Sequence, residues 1–261
     1  VTACGLDQTV LPHSPTMLLS VLVPVFNEEA LVGQLLDRVA GLQLPDDLTI
    51  EIIVVDDGSS DRSAEAVREF IARHPGRPFH LIRHQRNHGK GDAVRTAMQA
   101  AKGEIWIIQD ADLEYDPADI PRVAEPIIRG REQVVYGSRI LREKELGRSG
   151  VLGLVTGKHP HSYVLAYLGG VAVTKWVNLL TGAALTDELT CYKCFHRSAM
   201  KNIEIENHDF AWEPEVTMKL LTAGIRIAEI PVDYHPRKNE DGKKINWKDG
   251  IKALWTVWKF R

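Results

Sequence analysis

Short apolar runs alternate with helix-forming segments between residues 18 and 137, and this alternation constrains the fold more than any other feature. The predicted strands are 18–25, 50–55, 79–83, 104–108 and 134–137, and the helices between them include 27–40, 62–73 and 89–101. Nearly continuous apolar runs are typical of strands that are buried on both faces of a sheet. Strands that alternate with helices predict an α/β domain, in which a mostly parallel, twisted sheet carries helices on both faces.

Polar side chains follow four of these predicted strands where each strand ends. The clusters are Asn27-Glu28-Glu29, Asp56-Asp57, Asp110-Ala111-Asp112 and Ser138-Arg139. In open α/β sheets, ligands bind beyond the carboxyl ends of the strands. The four clusters therefore predict one shared active site at that edge.

Two carboxylates one residue apart, Asp110 and Asp112, suit a divalent metal ion. Mg²⁺ and Mn²⁺ prefer hard oxygen ligands and commonly share them with phosphate oxygens. Asp56 and Asp57 offer acceptors for a nucleobase N–H or for ribose hydroxyls. The alternative for Asp110 and Asp112 is a capped turn with solvated acids, although their position at a strand end favours the metal. The alternative for Asp56 and Asp57 is a tight turn with a helix N-cap, which is compatible with nucleotide binding.

The segment Gly89-Lys90-Gly91 begins a predicted helix and is similar to a phosphate-binding loop. It lacks the upstream Gly of a P-loop, and Val94 stands where a dinucleotide fingerprint has its third Gly. The sequence therefore excludes a P-loop ATPase and a Rossmann dehydrogenase, while Lys90 remains a candidate ligand for nucleotide phosphates.

The three cysteines, Cys4, Cys191 and Cys194, are too few for a disulfide framework, which favours a reducing compartment. Cys191-x-x-Cys194 has no second ligand pair at zinc-site spacing, so two semi-buried thiols are expected. The longest apolar run, 163–173, is far shorter than the ~20 residues of a membrane-spanning helix, and none is predicted.

The chain beyond residue 140 has weaker signals. The predicted elements there are a mobile loop at 142–157, a helix at 161–180 that is broken at Gly169-Gly170, a polar insertion at 187–193, a helix at 213–222 and a strand at 225–232. Residues 1–17 lack apolar periodicity and the features of a secretory signal, and they are predicted to form a flexible arm.

Charge and aromatic residues concentrate at the C-terminal end. The net charge of −3 by itself predicts nothing about nucleic acid, and no nucleic-acid partner is expected. The distribution of charge is more informative, because residues 235–261 hold eight Lys/Arg against three Asp/Glu. Five apolar residues share one predicted helical face, with four basic residues beside it. They are Trp247, Ile251, Leu254, Trp255 and Trp258, beside Lys248, Lys252, Lys259 and Arg261. This pattern is typical of an amphipathic helix at a membrane surface, and a helix packed on the core is the alternative.

Seven segments together resemble family-2 glycosyltransferases, within them the polyprenol-phosphate branch that includes dolichol-phosphate mannose synthase. They are LVPVFNEE (22–29), IIVVDDGSSD (52–61), NHGKGDAVRTAMQAAKGE (87–104), DADLEYDP (110–117), YGSR (136–139), DELTCYK (187–193) and FAWEPEVTMKLL (210–221). The resemblance implies a single nucleotide-diphospho-sugar transferase domain of the GT-A type at 18–234, followed by a basic loop and the Trp-rich helix at 235–261.

The resemblance also implies a role for each matching position. Pro24, Phe26, Glu28, Asp56, Asp57, Lys90 and Asp110 would bind the nucleotide sugar; Asp110, Asp112 and Glu114 would hold Mg²⁺ or Mn²⁺; Arg139, Arg237, Lys243 and Lys244 would bind the acceptor phosphate; and Asp112, Arg139 and Asp187 would act in catalysis. Position 114 is Gln in some relatives and Glu here.

The implied reaction moves a hexose from a UDP-glucose or GDP-mannose type of donor to polyprenyl or dolichyl phosphate, with inversion. An ionised phosphate acceptor needs no general base, and none of the ten His belongs to an evident His–carboxylate pair. If the acceptor were instead a saccharide or protein hydroxyl, Asp187 would be the candidate base; its alternative role is a structural cap. An inactive nucleotide-binding or scaffold protein is the remaining hypothesis. The enzyme is expected to lie peripherally at the cytoplasmic face of a membrane, with a homo-oligomer as a further possibility.

Overall fold

The computed structural model describes residues 16–147, 161–237 and 247–261, without the side chains of 161–167 and of 247–248. Within these ranges the strands are β1 (Met17–Val25), β2 (Leu48–Asp56), β3 (Phe79–Arg83), β4 (Ile105–Ile108), β5 (Val134–Ser138), β6 (Lys193–His196) and β7 (Ala228–Pro231). They form one sheet in the order β3-β2-β1-β4-β6-β5-β7. Only β6 is antiparallel to its neighbours, so the prediction of a mostly parallel sheet is confirmed.

Helices cover both faces of this sheet. They are α1 (Val32–Ala40), α2 (Ser63–Arg73), α3 (Lys90–Ala100), α4 (Ile120–Ile128), α5 (Arg139–Glu145), α6 (His161–Thr181), α7 (Trp212–Thr222) and α8 (Trp247–Lys259). Alternate residues of the strands belong to different core clusters, because successive side chains point to opposite faces. Val21 belongs to the core cluster that includes residues of α1, α2 and α4, whereas Leu22 belongs to the cluster that includes residues of α3, α6, α7 and α8.

The pairing of β1 with β2 brings the predicted site residues together. The two strands pair in register over their whole length, from Met17 opposite Leu48 to Val25 opposite Asp56. β4 pairs with β1 on the other side, so that Ile108 lies opposite Leu22. The chain therefore leaves β1, β2 and β4 at one edge, and the predicted convergence of their polar clusters is confirmed.

The strand β6 was missing from the sequence prediction, because it has four residues and begins and ends with polar ones. It lies between β4 and β5, and the segment before it is buried and is not the polar insertion that was predicted. Lys193 is buried with Glu188, donates to the Glu188 carbonyl at 2.6 Å and lies 3.8 Å from the ring centroid of Tyr136. Burial raises the pKa of Glu188 to about 6 and lowers the pKa of Lys193.

Three local predictions are wrong. Part of the loop predicted at 142–157 is helical, because α5 extends to Glu145 and Ser138 caps it by accepting from the Leu141 N–H at 3.1 Å. Helix α6 continues through Gly169-Gly170 without a break. The first predicted helix begins only at Val32, and Asn27, where it was expected to begin, adopts a left-handed φ of 51°. Residues 148–157 and the arm at 1–15 lie outside the described residues, and Met17 already belongs to β1.

Gly103 follows α3 and packs closely against β1. α3 ends at Ala100, and Gly103 lies against β1, where an added Cβ would be 2.4 Å from the Leu18 carbonyl oxygen. Its N–H donates to the Ser20 Oγ at 3.0 Å.

We expect Gly103→Ala to lower the free energy of unfolding by roughly 1–3 kcal/mol, because backbone atoms leave no room for the methyl group. Gly33→Ala is the matched control: Gly33 lies in α1 with nothing within 4 Å of an added Cβ, so Ala should stabilise the helix by about 1 kcal/mol. Urea denaturation of both variants measures the difference. Equal midpoints for Gly103→Ala and the wild type would contradict the close packing.

Candidate active site

The loops that follow β1 and β2 are joined by hydrogen bonds between side chains and backbone. The Asn27 N–H donates to Ser59 Oγ at 2.9 Å, and the Ser60 N–H donates to Asn27 Oδ1 at 2.9 Å. The Glu28 N–H donates to Ser63 Oγ at 2.8 Å. These bonds fix the backbone around Glu28 at the site edge. Pro24 and Phe26 precede it and are half-buried.

The two acids at the end of β2 are both engaged inside the protein. Asp57 accepts from His84 Nδ1 at 2.6 Å, from the His88 N–H at 3.0 Å and from the Gly89 N–H at 2.7 Å. Asp56 is fully buried and pairs with Arg83 Nε at 3.0 Å. Asp57 thus connects β2 to the start of α3, and the nucleobase contact of these acids stays a prediction.

Histidine–carboxylate pairs do exist, which corrects the expectation from the sequence. His84 pairs with Asp57, and His208 Nδ1 lies 2.8 Å from Asp92 Oδ1. The partners are 27 and 116 positions apart in the chain, so local spacing gives no signal for them. Both pairs flank the start of α3, and neither involves Asp110 or Asp112.

Lys90 lies at the first turn of α3 and connects two acids. Its Nζ donates to Asp110 Oδ2 at 2.8 Å and to Glu213 Oε1 at 3.0 Å. Burial disfavours the charge of Lys90, but Asp110 and Glu213 outweigh it and hold the pKa of Lys90 well above its ordinary value. Sequence reasoning missed Glu213, although it lies within a recognised segment.

The glycines beside Lys90 have a packing role. Gly89 has a φ of 100°, and an added Cβ on Gly91 would be 2.2 Å from the Asn207 carbonyl oxygen. The Asp92 N–H donates to the His208 carbonyl at 3.2 Å. The similarity to a phosphate loop therefore reflects the close approach of residues 207–208 to this turn.

A cluster of three carboxylates surrounds Arg237. The guanidinium makes two bonds of 3.0 Å to Glu28 and one of 3.2 Å to Asp112, and its Nε lies 3.9 Å from Glu114 Oε1. Glu114 also accepts from the Tyr234 hydroxyl at 2.7 Å. The structure thus places Arg237, a predicted acceptor-phosphate residue, among predicted nucleotide and metal residues. Lys243 and Lys244 lie outside the described residues.

The acids at the end of β4 fit a divalent ion that is shared with a substrate. Burial raises the pKa of Asp112 to about 7, together with the negative charges of Asp110 and Glu114, so this position favours an added cation. In the described ranges, no three His, Cys, Asp or Glu are arranged to hold a metal ion. Mg²⁺ is commonly held by one or two carboxylates plus substrate phosphates. Asp110 and Asp112 match that donor set, and a third ligand from Glu114 stays a prediction.

Arg139 and Asp187 form a bidentate ion pair in which Asp187 is buried and Arg139 is half-buried. Arg139 donates to the two Asp187 oxygens through Nε and Nη2, each at 2.7 Å, and through its N–H at 2.9 Å. Asp187 is only 4% exposed. Burial disfavours the charge of Arg139, yet Asp187 raises the pKa of Arg139 well above its ordinary value. The guanidinium also stacks on Tyr234, with 5.0 Å to the ring centroid.

The family model for glycosyl transferase family 2 matches residues 20–167, which is more than half of the chain and runs from within β1 through β5, including the polar ends of β1, β2, β4 and β5. The chain belongs to this family. The described fold agrees with the expected GT-A type.

Curated relatives of this family-2 glycosyltransferase include polyprenyl-phosphate enzymes. The dodecaprenyl-phosphate galacturonate synthase of Rhizobium johnstonii is 31% identical over 225 residues, which are 85% of this chain and 60% of the relative. The undecaprenyl-phosphate 4-deoxy-4-formamido-L-arabinose transferase of Edwardsiella ictaluri is 39% identical over 115 residues, 44% of this chain and 35% of the relative. The chain thus spans less than two thirds of the length of either relative.

Solved structures support the fold of the family-2 glycosyltransferase at low sequence identity. Glucosyl-3-phosphoglycerate synthase from Mycobacterium tuberculosis, in complex with UDP, has a TM-score of 0.64 at 17% identity. The superposition covers 94% of this chain and 80% of the synthase chain. A mannosyltransferase from Pyrobaculum calidifontis, in complex with GDP-Man and Mn²⁺, has a TM-score of 0.57 at 20% identity. The superposition covers 95% of this chain and 71% of the mannosyltransferase chain.

Proposed function

We propose that this chain transfers a sugar from a nucleotide diphosphate sugar, of the UDP-glucose or GDP-mannose type, to a polyprenyl phosphate, with inversion and with Mg²⁺ or Mn²⁺. The polyprenyl-phosphate acceptors named for the relatives support the acceptor class. The divalent ions and nucleotides in related folds support the donor and the cofactor. The acids at the end of β4 and the cations around them supply the charges that such a site requires.

The ion pair between Arg139 and Asp187 is the observation that favours a phosphate acceptor over a hydroxyl acceptor. A hydroxyl acceptor needs a base within hydrogen-bond reach of its proton. Asp187 is nearly inaccessible, and both its oxygens accept from Arg139, so it orients a guanidinium and is poorly placed to take a proton. A phosphate monoester is already ionised and instead needs cations that position it.

The chain's own residues would support the leaving diphosphate through charge. Asp110 and Asp112 would hold the metal ion, which supplies positive charge to the departing diphosphate. Lys90 fixes Asp110 from one side, and Glu213 fixes Lys90 in turn. Arg139, held by Asp187, would face the acceptor phosphate. The catalytic contribution of these groups is preorganised electrostatics, without proton transfer.

Radiolabelled donors with a short-chain polyprenyl phosphate and Mn²⁺ test the proposal. The donor panel contains UDP-glucose, GDP-mannose and UDP-galacturonate, and a labelled lipid product is expected with one of them. Label that appears only on added saccharide or protein would support the hydroxyl-acceptor alternative. If calorimetry detects no metal-dependent binding of any nucleotide sugar, the inactive scaffold is the better explanation.

The C-terminal helix bears on how such an enzyme reaches a lipid acceptor. α8 packs on the core through Ala253 and Val257, so the packing alternative holds for one face. The opposite face of α8 is exposed. Because α8 lies beside α6, this face forms one surface with exposed residues of α6. The apolar side chains of this α6–α8 surface are Ala172, Trp176, Leu179, Ile251, Leu254, Trp255 and Trp258. None of the described helices is long and apolar enough to cross a bilayer.

The α6–α8 surface is our proposed site of peripheral attachment at the cytoplasmic face of a membrane. Trp255 and Ile251 are each 59% exposed, and Trp258 is 42% exposed. Lys252 pairs with Asp209 and Lys259 pairs with Glu206, so part of the basic charge is already balanced. Aromatic insertion should therefore contribute more than the ~1 kcal/mol per basic residue that anionic lipids provide.

We expect the protein to sediment with anionic liposomes at low salt and much less at high salt, since salt screens the basic contribution. Replacing Trp255 and Trp258 by Ala should reduce sedimentation without changing nucleotide affinity. Leu146→Ala is the control, because Leu146 is 44% exposed and lies outside the α6–α8 surface. If the wild type does not sediment even at low salt, this surface is an oligomer contact, which analytical ultracentrifugation would then reveal.

A further inference from the structure

The guanidinium of Arg237 occupies the centre of the candidate metal and donor site. It contacts Glu28 through both terminal nitrogens and Asp112 through one of them. Its Nε is buried and has no hydrogen-bond acceptor within the described ranges. The backbone beside it is also held: the Arg237 N–H donates to Glu114 Oε1 at 2.9 Å, and the His235 N–H donates to the Glu114 carbonyl at 2.8 Å.

We propose that Arg237 is an internal counter-ion that closes this site in the free protein, and that it couples the binding of the divalent ion to that of the nucleotide diphosphate. The inference rests on the proposed function, because it concerns the same metal and donor. It adds cooperativity to the binding: neither ligand binds tightly alone, and each strengthens the other.

Charge explains this coupling. A divalent ion on Asp112 would lie beside a guanidinium that is 3.2 Å from the same carboxylate, and two cations at such a distance repel each other. The ion must therefore displace Arg237 from Asp112, which leaves Glu28 as the remaining hydrogen-bond partner of the guanidinium. A diphosphate that arrives alone meets Glu28, Asp112 and Glu114, three acids of its own sign.

Both costs disappear when the two ligands bind together. The diphosphate offers the released guanidinium new anionic partners, and arginine suits phosphate oxygens because its nitrogens form a planar fork. The metal ion neutralises the acids that repelled the diphosphate. By linkage, the factor by which nucleotide strengthens metal binding equals the factor by which metal strengthens nucleotide binding.

Titration calorimetry of Mn²⁺ alone, of UDP or GDP alone, and of Mn²⁺ with saturating nucleotide tests the inference. For the wild type, we expect nucleotide to strengthen Mn²⁺ binding by about tenfold or more, within the usual range of coupling between sites. Arg237→Met should bind Mn²⁺ alone about tenfold more tightly than the wild type, and the coupling should fall to a few-fold. Mn²⁺ electron paramagnetic resonance gives an independent affinity.

Arg142→Met is the matched control, because it removes the same charge from a nearby ion pair. Arg142 donates to Asp233 at 2.7 Å and does not touch the three acids. If Arg142→Met strengthens Mn²⁺ binding as much as Arg237→Met does, or if Arg237→Met leaves it unchanged, the inference is wrong. Mn²⁺ affinity is measured without acceptor lipid, so a failure to make lipid product would overturn the proposed function and leave this result intact.

Discussion

Replacing Asp112 by Asn should lower turnover by about 10²–10³-fold, the loss typical of removing one group that stabilises charge in a transition state. The variant loses a negative charge that the metal ion requires, but it keeps an oxygen that can accept from the Glu114 N–H, as Asp112 Oδ1 does at 3.1 Å. Glu28 still holds Arg237 through two bonds. The fold should therefore remain nearly intact while catalysis is lost.

Initial rates with the best radiolabelled donor, at saturating Mg²⁺ or Mn²⁺, measure this loss, and thermal unfolding checks the fold. Asp46→Asn is the matched control: Asp46 is exposed and precedes β2, so it lies at the edge opposite to the site. Its rate should equal that of the wild type. Near-wild-type activity of Asp112→Asn with Mg²⁺ would show that the metal lies elsewhere.

Replacing Lys90 by Met should lower the free energy of unfolding by about 3–5 kcal/mol, the usual result of removing one partner from a buried ion pair. Without Lys90, the Asp110 and Glu213 carboxylates keep their charges in a poorly solvated place and face each other. Asp110 would also lose the bond that orients it, so turnover should fall as well.

Chemical denaturation compares Lys90→Met with Lys201→Met, whose side chain lies in an exposed turn and whose stability should be within about 0.5 kcal/mol of the wild type. Adding Glu213→Gln to Lys90→Met should restore part of the stability, because one of the two unpaired charges is removed. A loss below about 1 kcal/mol for Lys90→Met would mean that water reaches these acids freely.

The fold could be predicted well where a short stretch of sequence has a clear hydrophobic pattern and neighbouring strands pair in a regular way. The apolar runs of β1 and β2 mark strands, and parallel pairing then brings Glu28, Asp57 and Asp112 to one edge by necessity. β6 escaped prediction because it is four residues long and starts with Lys193, a residue type that is seldom buried. The continuity of α6 escaped because Gly169-Gly170 lowers helix propensity, whereas packing decides the outcome.

Several predicted site residues meet at one edge of the sheet, but the sequence could not predict which of them are hydrogen-bond partners. An acid at a strand end suits a metal ion, a base N–H or an arginine equally well, and only the fold decides among them. Arg237 and Glu28 are 209 positions apart, and nothing in either local sequence indicates that they meet. For the same reason, the role of Glu213 as a partner of Lys90 became visible only in three dimensions.

The reversed direction of β6 determines where this chain can accept extra residues. The parallel strands present their carboxyl ends to the site, whereas β6 presents its amino end. The segment that carries Asp187 lies at the same edge because it immediately precedes β6. The Gly137 N–H donates to the Tyr192 carbonyl at 2.8 Å there, beside Arg139. A peptide inserted before Lys193 would displace Asp187 from its partner. The same peptide inserted at the exposed Lys201–Asn202 turn would lengthen the chain after β6 has left the site edge, so natural length variation should concentrate at that turn.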